Sequence, residues 1–144
     1  MTCPSNRLLL CVALVGALSC SAVAQSGPYL VADIAPGAAG SAPRELVRVG
    51  SRVFFFADDS VHGIELWATD GTAPGTRLVH DAIPGPSQSL PRLRCVWRDR
   101  VFYEHVRIPR GFQLFSTDGS ANGLERIAAE PSSFLGELNG RLLL

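Results

Sequence analysis

The chain reads ELWATDGTAPGT at residues 65–76, and a related stretch, QLFSTDGSANGL, follows at residues 113–124. In both stretches an apolar pair precedes Thr-Asp-Gly, and a small hydroxyl residue and a second turn dipeptide follow. The two copies are related by a shift of 48 (113 − 65) in residue number, and residues 30–124 align with themselves at this shift without a gap. Repeats of about 20 to 50 residues are typical of solenoids, propellers and arrays, so the repeat predicts the fold more strongly than any local motif.

Each copy predicts four β-strands. In the first copy they are residues 45–49, 52–57, 64–68 and 77–81. Gly, Pro, Asp and Ser clusters separate these short runs, which is typical of an antiparallel all-β fold. The continuous apolar run at residues 53–57 predicts burial on both faces, as stacking would give. Because four strands per unit is the blade count of a propeller, we expect an incomplete β-propeller of about two blades plus part of a third.

The repeated loop predicts tight turns. Glycine tolerates positive φ, aspartate side chains accept hydrogen bonds from nearby amides, and Pro-Gly and Asn-Gly pairs favour turns. We therefore expect a structural turn motif rather than a ligand site. Its residues are Asp70, Gly71, Thr72 and Gly75 in the first copy, and Asp118, Gly119 and Gly123 in the second.

The start of the chain resembles a targeting segment. Arg7 precedes an apolar run at residues 8–18, and the sequence Ala-Val-Ala ends at Ala24. These are the parts of a secretory signal peptide, so we expect a signal helix over residues 1–24, cleavage before Gln25, and a secreted or cell-surface protein, extracellular or periplasmic. The run is too short to span a bilayer, so no membrane span is expected after cleavage. Lipidation of Cys20 is the alternative.

Residues 25–144 then form the repeat region, with units at about 30–77 and 78–124 and a partial unit at 125–144. The partial unit matches the second copy at a shift of 41 (141 − 100) and ends within its second strand. We expect a fragment of a larger propeller protein, or self-association through open strand edges.

The charge balance of the chain points to no particular class of partner. Thirteen basic residues balance thirteen acidic ones, which favours neither nucleic acid nor an anionic membrane as a partner. Beyond the leader Cys95 is alone, so no disulfide scaffold is expected, and it is either a small buried side chain or a reactive thiol. An arginine-rich strand pair is either a solvated face or a polyanion site. Its members are Arg92, Arg94, Arg98 and Arg100.

Motifs of known chemistry are absent from the sequence. It contains no Gly-rich phosphate loop, no Gly-x-Ser-x-Gly, no His-Glu-x-x-His and no Cys-x-x-Cys. We therefore expect no catalytic residue, no cofactor and no metal. Asp58, Asp59, His62 and Glu65 form either a weak cation site or a solvated loop. Trp67 and Trp97 either stack on sugars or pack in the core.

Over residues 65–76 and 113–124 the chain resembles the ELWxxDGT-type, or hyalin-like, repeats of secreted bacterial proteins. The first copy fits the pattern closely, whereas the second departs from it. The departures are Gln113, Phe115, Ser120 and Leu124. The resemblance implies an extracellular β-propeller-like array with no established activity, and it carries over no catalytic residue.

Two classes of function follow. The first is a non-catalytic secreted module, structural or binding an unidentified protein or carbohydrate. The second is part of an extracellular propeller enzyme acting on polysaccharide. An enzyme would need paired carboxylates or a histidine where the innermost strands begin, near Glu45 and Leu93. Because only Glu45 is acidic, the non-catalytic module is favoured.

Overall fold

A computed structural model describes residues 27–86, 90–107, 111–128, 136–138 and 141–143, and in these ranges the protein is all-β with no helix. The strands are β1 (Arg44–Val49), β2 (Arg52–Asp58), β3 (Ile64–Thr69), β4 (Arg77–His80), β5 (Arg92–Trp97), β6 (Arg100–Arg107), β7 (Gly111–Thr117), β8 (Glu125–Ala128), β9 (Gly136–Leu138) and β10 (Arg141–Leu143). The predicted signal helix and its cleavage site lie outside the described residues.

The strands form two antiparallel four-stranded sheets, each in sequence order. The first sheet is β1-β2-β3-β4 and the second sheet is β5-β6-β7-β8, while β9 and β10 pair as a separate hairpin. The described strands do not close into a ring. The predicted all-β class with antiparallel four-stranded units is therefore confirmed. In the first copy every predicted strand boundary falls within one residue of the observed one.

The register repeats together with the sequence. Phe54 pairs with Ala68 in the first sheet, and Phe102 pairs with Ser116 at the corresponding place in the second sheet. The β3–β4 pairing shifts between Leu66 and Trp67, and the β7–β8 pairing shifts at the equivalent point of the second copy. Such irregularities bend a strand and increase its twist. The two sheets are therefore copies in detail as well as in outline.

The two sheets pack face to face around one core. Side chains alternate across a strand, so the inner face of the first sheet carries Phe54, Phe56, Leu66 and Ala68. These side chains pack against Val101, Tyr103 and Phe115 of the second sheet. At a shift of 48, those three residues correspond to Val53, Phe55 and Trp67 on the opposite, outer face of the first sheet. Successive sheets are thus stacked in the same orientation, outer face against inner face.

The repeated turn of the second copy rests on the first sheet. The carbonyl oxygen of Asp118 accepts a hydrogen bond from Arg52 Nη1 at 3.3 Å, and that of Gly119 accepts one from Arg77 Nη2. Gly119 has φ 76°, and a Cβ added there would lie 2.8 Å from Phe54 Cζ. Only glycine satisfies both the backbone conformation and the close approach.

Candidate functional site

The aspartate side chains of the repeated turn motif accept hydrogen bonds from within their own loops. Thr72 N and Thr72 Oγ1 donate to Asp70 Oδ1 at 2.9 and 2.7 Å, and Gly75 N donates to Thr72 Oγ1 at 3.0 Å. In the second copy Ser120 N donates to Asp118 Oδ1 at 2.7 Å. These hydrogen bonds hold the pKa of both aspartates below its usual value.

A directed chain of hydroxyl groups closes the first turn. Gly71 N donates to Thr69 Oγ1 at 3.0 Å, Thr69 Oγ1 lies 2.7 Å from Thr76 Oγ1, and Thr76 Oγ1 donates to Thr72 O at 2.8 Å. Because the Thr76 proton is committed to Thr72 O, Thr69 is the donor to Thr76. In the second copy Leu124 replaces Thr76 and packs against the core, so the chain is not continued there.

Gly75 and Gly123 lie directly against the aspartate side chains of their own loops. A Cβ at either position would overlap the carboxylate of Asp70 or Asp118, respectively. The predicted turn residues thus belong to two separate loops. Among the described residues, no hydrogen bond joins the turn residues of one loop to those of the other.

The structure brings together a second set of residues, which we call the inter-sheet polar cluster: Glu65 of β3, His80 of β4, and Tyr103 and His105 of β6. Glu65 and Tyr103 are 0% exposed, and His105 is 1% exposed. His80 Nδ1 lies 2.6 Å from the Tyr103 hydroxyl, and His105 Nε2 lies 3.3 Å from Glu65 Oε2. The cluster joins the two sheets where they stack.

Glu65 also fixes the connection that leaves the first sheet. Its carboxyl group accepts hydrogen bonds from Ala82 N at 3.1 Å and from Ile83 N at 3.4 Å. Both amides follow β4, on the path towards the second sheet. A single buried side chain therefore links β3, the crossing segment and β6.

Burial determines the charge state of the cluster. It raises the pKa of Glu65 to about 7, and together with the charge of His80 it lowers the pKa of His105 to about 3. The 3.3 Å contact is within ion-pair distance, but neither ring nitrogen of His105 has a hydrogen-bond partner among the described residues. Between about pH 3 and pH 7 we therefore assign a neutral carboxyl group facing a neutral imidazole, because an ion pair without a hydrogen bond would not offset the loss of hydration.

The remaining members favour uncharged forms as well. Burial lowers the pKa of His80, and burial together with the Glu65 charge raises the pKa of Tyr103. The rings of His80, Tyr103 and Phe115 pack together, with His80 and Phe115 edge to face at 4.6 Å between centroids. The cluster is therefore a polar contact between the sheets, in which Glu65, Tyr103 and His105 are buried and His80 is half-buried.

The sequence contains a signal for this cluster in the positions at which the two copies differ. His80 and His105 occupy the repeat positions of Ala32 and Ala57, and Tyr103 occupies that of Phe55. Histidines stand at the two positions that hold alanines in the preceding copy, and their rings face each other across the stacked sheets with centroids 5.9 Å apart. Paired departures from the repeat, rather than repeated residues, identify the contact.

The acidic loop before β3 is internally bonded. His62 Nδ1 lies 2.6 Å from Asp59 Oδ2, which raises the pKa of His62. Ser60 N donates to Asp58 Oδ1 at 2.7 Å. Among the described residues no three His, Cys, Asp or Glu side chains are grouped as a metal site, and no helix is long and apolar enough to cross a membrane.

The other candidate side chains are placed separately. Arg94 pairs with Glu104, and Arg100 donates to Ser116 Oγ at 2.9 Å and to Gly123 O at 2.8 Å, so the arginine-rich strand pair is partly neutralised from within the second sheet. The Arg98 guanidinium lies 4.3 Å from the Trp97 ring centroid. The structure does not gather these residues into one site. No protein-family model, curated protein or solved structure matches the chain.

Proposed function

We propose that the chain is a non-catalytic module of a secreted repeat protein, built from stacked four-stranded units in a propeller-like array and structural or binding in role. The observation that carries this proposal is the use of the titratable groups. Glu65, Tyr103 and His105 are buried between the sheets and half-buried His80 contacts Tyr103, so these side chains join one unit to the next. Their place in the stack supports a role in assembly.

Two of the carboxylates, those of Glu45 and Glu104, already have partners. Glu45 Oε2 accepts a hydrogen bond from Leu93 N at 2.6 Å, so β1 and β5 are bonded to each other near their starts. Glu104 is 5% exposed and is paired with Arg94. A polysaccharide hydrolase needs two free carboxyl groups on either side of a glycosidic bond. This arrangement favours the module over the alternative, part of a propeller enzyme acting on polysaccharide.

The proposal has three further parts. The chain is secreted after cleavage between Ala24 and Gln25, it belongs to the ELWxxDGT-type repeats, and it is a fragment of a larger propeller protein. The repeat in the sequence and the like orientation of the two sheets support it. The partner of the module would be a protein or a carbohydrate. Self-association through open strand edges is a further route to assembly.

Two measurements test the proposal. The purified chain, incubated with a panel of soluble polysaccharides, should release no reducing ends above a heat-denatured control. Release that Glu45→Gln or Glu104→Gln abolishes would favour the enzyme. The turn motif should act on stability, so Asp70→Ala should lower the melting temperature through unpaired loop amides. An unchanged melting temperature in Asp70→Ala would contradict the structural role of the motif.

A further inference from the structure

An Asn-Gly pair lies in the repeated turn of the second copy. Asn122 is exposed, and its side-chain amide has no hydrogen-bond partner among the described residues. Gly123 follows it and carries no side chain that would shield its backbone nitrogen. In such a pair the backbone nitrogen can reach the carbonyl carbon of the preceding side-chain amide, because bonding between these two atoms closes an unstrained five-membered ring. The turn therefore places an accessible amide next to a nucleophile.

We propose that Asn122 is a site of spontaneous deamidation. Gly123 N attacks Asn122 Cγ, and the bond from Cγ to the side-chain nitrogen breaks, so that ammonia leaves with the proton of the Gly123 amide. The product is a cyclic succinimide. Water then opens the ring at either carbonyl carbon, which gives an aspartate at residue 122 or an isoaspartate linkage through the side chain. Water is the only co-reactant that these steps consume.

The hydrogen bonding of the turn favours this reaction in the second copy. Gly123 N donates to Ser120 O at 3.2 Å, and this bond must break before the nitrogen can attack. In the first copy, Thr76 Oγ1 adds a further hydrogen bond across the corresponding turn, to Thr72 O at 2.8 Å. Leu124 stands at the position of Thr76 and has no hydroxyl group. The second turn is therefore held by fewer bonds and should open more readily.

The turn of the first copy contains no site for the same reaction. Pro74 occupies the position of Asn122, so this turn has no side-chain amide. The other Asn-Gly pair of the sequence, Asn139-Gly140, lies outside the described residues. Of the two repeated turns, deamidation would consequently alter the second alone.

The altered turn is the one that rests on the first sheet. Its carbonyl groups at Asp118 and Gly119 accept hydrogen bonds from Arg52 and Arg77. An isoaspartate linkage adds a CH2 group to the main chain of this turn, and both products add a negative charge. The lengthened turn should fit the first sheet less well, so deamidation should lower the melting temperature of the chain.

Peptide mapping of the full chain tests the proposal. Folded protein is incubated at pH 8 for increasing times and digested with trypsin, which separates residues 111–126 from residues 127–141 because it cleaves after arginine. The peptide of residues 111–126 should gain the mass that replacement of an amide NH2 group by OH adds. Part of it should accept a methyl group from an isoaspartyl methyltransferase. Asn122→Gln should abolish both changes in this peptide, because glutamine would have to close a larger ring.

Pro74→Asn supplies a matched control in the first copy. It places an Asn-Gly pair after Ala73, just as Asn122 follows Ala121, in a turn that keeps the Thr76 hydrogen bond. Trypsin releases this pair in the peptide of residues 53–77. In the folded variant the new pair should deamidate several times more slowly than Asn122, whereas in urea the two pairs should react at similar rates.

Three results would overturn the inference. One is a folded chain in which the peptide of residues 111–126 stays unmodified while the same peptide reacts in urea, since the turn would then protect Asn122. Another is an equal rate for both pairs in folded Pro74→Asn, which would mean that the bonding of the turn does not control the reaction. The third is a fall in melting temperature on incubation that is equal in the natural chain and in Asn122→Gln, or absent from both.

Discussion

Replacing Glu65 with glutamine tests the charge state of the inter-sheet polar cluster. Glutamine keeps a carbonyl oxygen that can accept a hydrogen bond from Ala82 N or Ile83 N, but it cannot ionise. The repeat itself places glutamine, Gln113, at this position in the second copy. The substitution is therefore close to isosteric, and its main effect should be on the pH dependence of stability.

The sign and size of that effect follow from the Glu65 pKa, which burial raises from 4.5 to about 7. Between these values the unfolded chain has released the proton and the folded chain still holds it. The stability that the raised pKa provides is complete below pH 4.5 and is lost as the pH rises to 7. At about 1.4 kcal/mol per pH unit the loss is about 3 kcal/mol. Glu65→Gln removes this loss.

The assay is urea unfolding followed by tryptophan fluorescence at pH values from 4 to 8. At pH 4 the side chain is neutral in both proteins, so the difference there measures packing and hydrogen bonding alone. From pH 4 to pH 8 the variant should gain about 3 kcal/mol relative to the natural chain. A variant that loses stability relative to the natural chain as the pH rises would show that Glu65 is ionised against a protonated His105, contrary to our assignment.

Three other substitutions probe the same joint. The lowered pKa of His105 stabilises the fold above pH 6.5, and this stability is lost as the pH falls to 3. His105→Gln should remove this loss, which is about 5 kcal/mol. Urea unfolding at pH values from 3 to 7 measures the difference between the variant and the natural chain. Tyr103→Phe should cost about 1–2 kcal/mol by leaving His80 Nδ1 unpaired, and less in a His80→Ala background. Gly119→Ala should cost about 2–4 kcal/mol, because the residue has positive φ and the added Cβ would contact Phe54. The control is Gly71→Ala, where φ is 91° and the space around the residue is open, and it should cost about 1–2 kcal/mol. Equal losses of stability in thermal unfolding would contradict the close packing at Gly119.

The strand order and pairing were predictable because the repeat specifies them twice. Turn residues at fixed offsets bracket each apolar run, and local turn chemistry together with β-propensity decides such boundaries. The buried run of residues 54–57 was also predictable from its composition. Stacking of the sheets follows from the same pattern, because a sheet that is apolar on both faces must be covered on both.

The polar cluster was not predicted, for a physical reason. Its members come from three strands, and their contact depends on which face of the second sheet packs against the first. Glu65 was interpreted as part of an acidic loop with Asp58, Asp59 and His62. A comparison of Ala32 with His80 and of Ala57 with His105 would have indicated that the two histidines form a pair. That comparison is informative only once the orientation of the stacked sheets is known.

The exchange of alanines for histidines between the two copies has a genetic consequence. Tandem copies of one DNA segment recombine unequally, and such an event could delete residues 57–104 while keeping the reading frame of the repeat. Phe56 would then be joined to His105, which would stand in the place of Ala57 on the outer face, beside Ala32 and with Glu65, His80 and Tyr103 gone. An imidazole on that apolar face would lack its partners and reduce stability. The paired histidines therefore fit the copies only in their present order, and we expect a chain that has lost one copy to carry an unpartnered imidazole at this position.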